Sequence, residues 1–560
     1  MTYKYLLLVP VAALLIHGQE IESAAVKLIA EKLRTGPLNP GDQWMPVVTH
    51  THNWRFSDHE TRGSFETTEQ QLVDWSRKLG IRAVGVGSPW DPISAASYRR
   101  YEGENRDLYY SGKFDQKSVM DVDAVKKVFH QLNDKAEGKT LFYLDNETPK
   151  TRMGHVWWFG YNYDYPAWHD YSQDRPIQFF ESDPSVELNS LNAKPHRRRS
   201  LFEIMALQRK AGALGIFAHP TRWWITQGRF ITNIAAMSGL FLVVDGRLDG
   251  MAVMSDRPYH VSYQKLWFHF LDTGAKVPGF AETDFALNKV TSRSAQQTFR
   301  NYMHISPGAI SEQKIRESAR KGETFMSNGG FLTVSVDGVS MGSVASTRAG
   351  KAHHVRIEAY PVEGQQKFSR VELIGKGGNV LATKRDFPGG VLTYEIPGRD
   401  EAHYLVVRAF GETDDPDADP AGVKYMAMSN PVYLHPQGFR IEPAKTDCAI
   451  TVLKNSMWIE GIIEFQTAGG EVIAKQTIAP GIIRRTVPAN ARIVLRKPGT
   501  DERMFYIAME NVEVEKYLTY LSSGAFRKDY TGVLPSDVPP QAFRIPELRE
   551  ALRTFVYDLK

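Results

Sequence analysis

The apolar pattern of this 560-residue chain changes period near residue 330, and no other feature limits its possible folds so strongly. Before that point, helical spacing alternates with short apolar runs. Thr67 and Thr68 open a stretch with Leu72, Trp75 and Leu79 at helical spacing; Gly80 stops it and Ile81–Val86 reads as a strand. The unit recurs. Asp121–Ala136 is predicted helical, Gly138 breaks it, and Leu141–Leu144 follows as a strand. Ser200 with Glu203 carries a capping-box signature for a helix to about Ala213, ahead of strands at Gly215–Ala218 and Leu240–Val244. Helix, glycine and strand in repetition predict a parallel α/β sheet or barrel over residues 40–330.

Behind residue 330 the period drops to two. Phe331–Val336, His354–Ala359, Arg370–Ile374, Leu392–Ile396 and Tyr404–Ala409 alternate with Gly, Asp and Pro turns, the pattern of a β-sandwich over 331–438. A second β-rich module is expected over 439–530. A Pro-rich tail with a short helix at Pro546–Tyr557 is expected over 531–560. Length alone calls for several domains, because single cores stop growing at roughly 250–300 residues. The acidic loop Asp414–Asp419 lacks the glycine and glutamate of an EF-hand and reads as a solvated turn.

Composition removes several function classes. Hydrophobic residues at 42% and charged residues at 24% are those of a folded chain. A net charge of +4 on 68 basic and 64 acidic side chains gives no field for nucleic acid or an anionic membrane. His196-Arg197-Arg198-Arg199 is the local exception, readable as a solvated loop or as an anion contact. Lys4 precedes the apolar stretch Tyr5–Ile16, too short for a bilayer helix and long enough for a signal-peptide core. Residues 1–18 are therefore expected to be a signal peptide, the protein periplasmic or secreted, and the mature chain without a membrane span; an uncleaved anchor is the other reading. The single cysteine, Cys448, excludes an intrachain disulfide and reads as a buried small hydrophobe.

His50-Thr51-His52 follows the apolar run Met45–Val48, and residues i and i+2 leave one face of a strand, so both imidazoles can meet one cation. An ordinary polar strand end is the other reading. Further donors fall at the ends of successive predicted strands: Glu147, His155, His219 and Asp284. The carboxyl ends of parallel strands converge on a functional face. Nitrogen and oxygen donors without thiolates suit one or two divalent ions, Zn, Mn or Fe. Trp157-Trp158-Phe159 and Trp223-Trp224 are either core or an aromatic wall for a small-molecule or glycan-like substrate. Arg222 is either an anion contact or a surface salt bridge.

His50-Thr51-His52 with Ser57-Asp58, Asn146-Glu147-Thr148-Pro149 through Gly154-His155, and Gly215–Pro220 resemble motifs of the polymerase-and-histidinol-phosphatase (PHP) superfamily. The spacing from Glu147 to His155 and the run Gly322–Phe331 resemble its carbaryl-hydrolase-like (CehA/McbA) branch. The resemblance covers about residues 45–435. It implies a distorted (β/α)7 barrel followed by β-sandwich domains. It also implies one metal at His50, His52, Glu147 and Asp284, a second at Glu147, His155 and His219, and Asp284 as general base. Substrate contacts would come from Arg222, Trp223 and Trp157. Three family donors are replaced, by Val48, by Gly87-Ser88-Pro89 and by Ala286. His59 is a conceivable substitute for one of them. The implied activity is metal-dependent hydrolysis of an ester, carbamate or phosphoester. The alternative is a degraded relative serving as a binding or scaffold protein.

Overall fold

Strand β1 (Gln43–His52) organises the molecule, because its two edges and two faces each meet a different neighbour. The computed structural model describes residues 43–52, 67–87, 122–147, 155–160, 208–220, 248–255, 259–287, 297–361 and 365–440, with a few isolated positions between them. Beyond these it describes the strands named below. The signal-peptide region, the His196–Arg199 run, His59, Arg222, Trp223 and the Pro-rich tail lie outside these residues.

Helix α1 (Glu69–Lys78) starts at Thr68, whose side chain accepts from Gln71 N–H while the Gln71 side chain accepts from Thr68 N–H. It buries Leu72, Val73 and Trp75 and hands the chain to β2 (Ala83–Gly87). Helix α2 (Val122–Ala136) leads likewise to β3 (Leu141–Glu147). Then follow β4 (His155–Phe159), β5 (Leu214–Ala218), the small hairpin β6 (Ile225–Thr226) and β7 (Arg229–Phe230), and β8 (Gly250–Met254). Helix α3 (Val261–Asp272), β9 (Gly279–Ala281), β10 (Phe285–Ala286), β11 (Arg300–Ile305), helix α4 (Glu312–Lys321) and β12 (Thr324–Ser327) complete this part.

β1, β2 and β3 run parallel, as do β5, β8 and β9. The expected all-parallel sheet is corrected by β4, which lies antiparallel between β3 and β5. Two further strands differ from expectation. Only Val243 of the expected strand 240–244 is described, and the sheet member in this region is β8. β9 pairs with β8, while β10, a few residues later, pairs parallel with β1, so the series of strands meets its own start.

Two buried asparagines complete that closure. Asn301 accepts from Ala281 N–H at 2.8 Å and donates to Ala281 O at 2.7 Å and Thr49 Oγ1 at 3.0 Å. Asn430 treats Gly279 in the same way, accepting from its N–H at 2.6 Å and donating to its carbonyl at 3.1 Å. A primary amide offers one donor and one acceptor side by side, as a neighbouring strand would. The free edge of β9 is thus satisfied by side chains.

Apolar residues sort onto two faces of this ring. Val48, Val84, Val86, Phe142 and Phe217 pack with Leu72 and Trp75 of α1 and Phe129 of α2 on the outside. Met45, Val47, Ala83, Tyr143, Trp157, Phe159, Ile216 and Phe280 form the inside, together with Ile315 and Ala319 of α4.

On the edge of β1 that meets β10, the N-terminal half Gln43–Val47 pairs antiparallel with β11, and the sheet continues through β12 into the sandwich. The sandwich comprises β13 (Gly330–Val336), β14 (Val339–Ser340), β15 (Val344–Ser346), β16 (Ala352–Pro361), β17 (Phe368–Gly375), β18 (Asn379–Phe387), β19 (Gly390–Pro397), β20 (His403–Phe410), β21 (Met426–Ser429) and β22 (Val432–His435). One sheet has the order β14-β13-β16-β19; the facing strands β17, β20, β21 and β22 belong to the large sheet. Val334, Val336, Val355, Ile357, Val371, Leu405 and Val407 fill the space between, with Trp44 of β1 in the same cluster. The acidic loop is a turn held by its own groups: Asp414 accepts from Lys424 and Tyr425 N–H, and Asp417 pairs with Arg370.

The C-terminal part supplies β23 (Lys445–Val452), β24 (Ile462–Gln466), β25 (Val472–Thr477), β26 (Gly481–Pro488), β27 (Arg492–Arg496), β28 (Arg503–Ile507) and β29 (Thr554–Tyr557), in two smaller sheets. The expected terminal helix is corrected over 554–557, which is a strand parallel to β23. Cys448 lies on β23, and its side chain is outside the described set. The described chain is mostly β with few helices, an α/β part followed by all-β parts. No described helix is long and apolar enough to cross a membrane.

Candidate metal centre

Simple alternation along β1 would send His50 and His52 outward, because Val47 faces inward and Val48 outward. A bulge reverses this. Val48 is opposite Val84 but Thr51 is opposite Val86, so β1 spends three residues where β2 spends two. His50 takes up the extra residue at φ +54°, and both imidazoles turn inward toward Glu147, the last residue of β3. Glu147 lies on the inward face with Tyr143 and Asp145 by the period of two.

His219 directly follows β5 and places Nε2 2.9 Å from Glu147 Oε1. His50 Nε2 is 3.2 Å from the same oxygen and 3.6 Å from Asp284 Oδ1. His52 Nε2 is 3.2 Å from Asp284 Oδ1 and 3.8 Å from Glu147 Oε2. Potential ligand atoms of His50, Glu147 and His219, and those of His50, His52 and Asp284, lie within 4.8 Å of one another. His50 is common to both groups. These side chains are buried, and Trp157 lies flat behind His50 with ring centres 5.9 Å apart at 5°. Trp157, itself 1% exposed, forms the inner wall of the site.

His155 opens β4 opposite Ala218, the neighbour of His219; its side chain is outside the described set. Of the three departures, Val48 is buried in the outer core, Gly87 has no side chain to offer, and Ala286 is placed only by its backbone in β10.

Backbone strain gathers here. His50, His219 and Asp284 are three of the six described non-glycine residues with positive φ, at +54°, +25° and +44°. Such conformations persist where surrounding bonds hold them, and they cluster at functional sites. Asp284 N–H donates to His50 O at 2.8 Å, and Thr283 Oγ1 donates to the carbonyls of Thr49 and His50 at 2.9 Å. The strained turns after β9 and in β1 therefore brace each other.

Sequence reasoning missed two acids. Glu282, 2% exposed, accepts from His50 Nδ1 at 2.8 Å and from His219 N–H at 2.8 Å. It stands two residues before Asp284, the spacing that drew attention to His50 and His52, and that was its available signal. Asp145 is fully buried and accepts from Gly160 N–H at 2.9 Å. Burial pushes its carboxyl well above the ordinary range, against the pull of that hydrogen bond. Its carboxyl occupies the space where a Cβ on Gly85 would stand, which requires glycine there.

Burial alone would lower the pKa of His50, but the carboxylates of Glu147 and Glu282 outweigh it and hold the imidazole well above its usual value. His50 Nε2 is buried and faces Glu147 Oε1 at 3.2 Å and Asp284 Oδ1 at 3.6 Å. A buried imidazole nitrogen in this position, with its other nitrogen on a carboxylate, is the arrangement of a histidine that ligates metal. The donors fit a divalent ion: imidazole nitrogens and carboxylate oxygens around a small buried space.

No protein-family model and no curated protein matches the sequence. Among solved structures, the major pilin subunit of Bacillus cereus aligns at 10% identity over 34% of this chain and 69% of its own, with TM-score 0.13. A tri-modular endo-β-1,4-glucanase from Bacillus licheniformis in complex with cellotetraose aligns at 10% identity over 86% and 99%, TM-score 0.18. The β-glucuronidase 3 of Bacteroides uniformis aligns at 11% over 45% and 33%, TM-score 0.14. Similarities at this level carry no argument about fold or activity.

Proposed function

We propose that the chain is a divalent-metal-dependent hydrolase of the PHP type, similar to the carbaryl-hydrolase-like branch, acting on an ester, carbamate or phosphoester. The observation that carries the reading is the buried His50, shared by two donor groups, with Nε2 turned to Glu147 and Asp284 and Nδ1 backed by the Glu282 carboxylate. The ring of β1, β2, β3, β4, β5, β8 and the β9–β10 segment supplies seven strand positions, which supports reading it as a distorted (β/α)7 barrel.

His50, His52, Glu147 and Asp284 would hold one ion, and Glu147, His219 and His155 a second, weaker one; Zn, Mn and Fe all suit these donors. A bound divalent ion supplies a water acidic enough to ionise near neutral pH and polarises the scissile oxygen. Asp284, with its carboxylate 3.2 Å from His52 Nε2, would accept the proton of the attacking water. Trp157 and the inner apolar residues keep bulk water from the back of the site, so the charges there act in a low dielectric.

The test is elemental analysis of metal-replete protein after dialysis against a mild chelator, with hydrolysis of p-nitrophenyl ester, carbamate and phosphodiester probes. Between one and two metals per chain and turnover of one probe class are expected. Val48 and Gly87, which bring no donor to the site, favour the second reading, a binding protein built on the same fold. A metal content near zero would decide for that reading.

A further inference from the structure

Glu282 joins the ring of one strained histidine to the backbone of the other. Its Oε2 stands 2.8 Å from His50 Nδ1 on β1, and its Oε1 takes the backbone N–H of His219, after β5, at 2.8 Å. Its own N–H donates to Met254 O at the end of β8 at 2.8 Å. Three strands are therefore tied at one residue. The carboxylate sits behind the donor groups: Glu147 and Asp284 approach His50 from the Nε2 side, Glu282 from the Nδ1 side.

The polarity of these bonds has a chemical meaning. An ionised carboxylate only accepts, so His50 must carry a proton on Nδ1, and Nε2 is then the nitrogen whose lone pair can face a cation. The second oxygen, by accepting from His219 N–H, holds a backbone at φ +25° that a β-substituted residue adopts only under constraint.

We infer that Glu282 is the positioning residue of the metal centre, fixing the His50 tautomer with one oxygen and the His219 backbone with the other. The inference rests on the metal-centre reading above.

The experiment compares cobalt(II) affinity of the metal-free full-length wild type, Glu282→Gln and Glu282→Asp, by competition with a chromophoric chelator, with thermal melts of each metal-free form. Gln matches Glu in shape but turns one acceptor into a donor, so it cannot receive both N–H groups. Asp is shorter but still only accepts. The expected affinity order is wild type, then Asp, then Gln, with Gln weakened about 10–100-fold. A packing role predicts the reverse order of the two variants, and Gln within twofold of wild type would overturn the inference. Wild type that binds no cobalt overturns the metal-centre reading itself, and with it this inference. Should the Gln variant not fold, nitrogen-15 NMR of histidine-labelled, zinc-loaded wild type decides. A proton on His50 Nδ1 with metal at Nε2 is expected, and metal at Nδ1 would refute the assignment.

Discussion

Glu147 is approached by three imidazoles, from His50, His52 and His219, at 3.2, 3.8 and 2.9 Å. Replacing it by Gln keeps the volume and removes the charge that all three share. Metal content of Glu147→Gln should fall to a small fraction of wild type, and further than in His59→Ala; equal retention in both variants would count against Glu147 as a shared ligand. Asp337 illustrates a purely structural residue of the sandwich. Burial would raise its pKa, but hydrogen bonds from His354 N–H, His353 and Lys351 prevail and hold the carboxyl well below its usual range. A depressed carboxyl stabilises the fold at pH values above its unfolded-state pKa, near 4. That contribution is lost as pH falls from there toward the folded-state pKa. The stability gap between wild type and Asp337→Asn, read by urea unfolding, should therefore be full at pH 7 and shrink below pH 4.

At the scale of elements, Asn301 and Asn430 perform the same task on β9 with different consequences. Asn430→Ala removes the side-chain partners of both the N–H and the C=O of Gly279, whereas Asn301→Ala removes that of the Ala281 N–H while Thr49 Oγ1 still donates to the Ala281 carbonyl, a loss of about 1–3 kcal/mol for each group left unpaired. Both variants should show lower melting temperatures. Only Asn301→Ala should also weaken metal binding, because Asn301 additionally holds Thr49, beside His50, and Ala281, beside Glu282. The same contrast explains what was legible in the sequence. α1, α2, β2, β3 and β5 were readable because capping, glycine stops and apolar spacing are local signals, and His50, His52, Glu147, His219 and Asp284 were readable as donors at strand ends. The reversal of face within β1 was not, since a bulge is defined only against its partner strand. Antiparallel β4 was hidden because a short strand buried over Val156–Phe159 carries no alternation to report its direction. Glu282 was hidden because its role depends on contacts 232 and 63 residues away.

For the whole molecule, the sequence boundary at residue 330 is not a gap in structure. The sheet passes from β1 through β11 and β12 to β21 and β20 without interruption. Trp44 leaves β1 for the sandwich cluster and packs against Phe325 at 5.3 Å and Phe331 at 6.3 Å between ring centres. Arg408 of β20 donates to Gln264 of α3 at 2.7 Å and to Glu372 of β17, and Asn430 reaches back to β9. A chain cut at 330 would expose β12 as an unpaired apolar edge and strand Gly279. Residues 40–330 made alone should therefore be aggregated or unfold without cooperativity, whereas residues 40–438 should melt in one transition by calorimetry.

The position of β1 at the front of the chain also sets a clock. His50 and His52 are synthesised 232 residues ahead of the Glu282 and Asp284 that complete their surroundings. At cellular elongation rates that interval is on the order of ten seconds or more. Throughout it the histidine pair exists without Glu282 and Asp284, and the β11 strand that fixes its register has not yet been made. On the metal-centre reading proposed above, an ion met during synthesis would find two imidazoles on a strand still lacking β11, so loading would belong to the finished chain and the metal acquired would be the one available where and when folding ends.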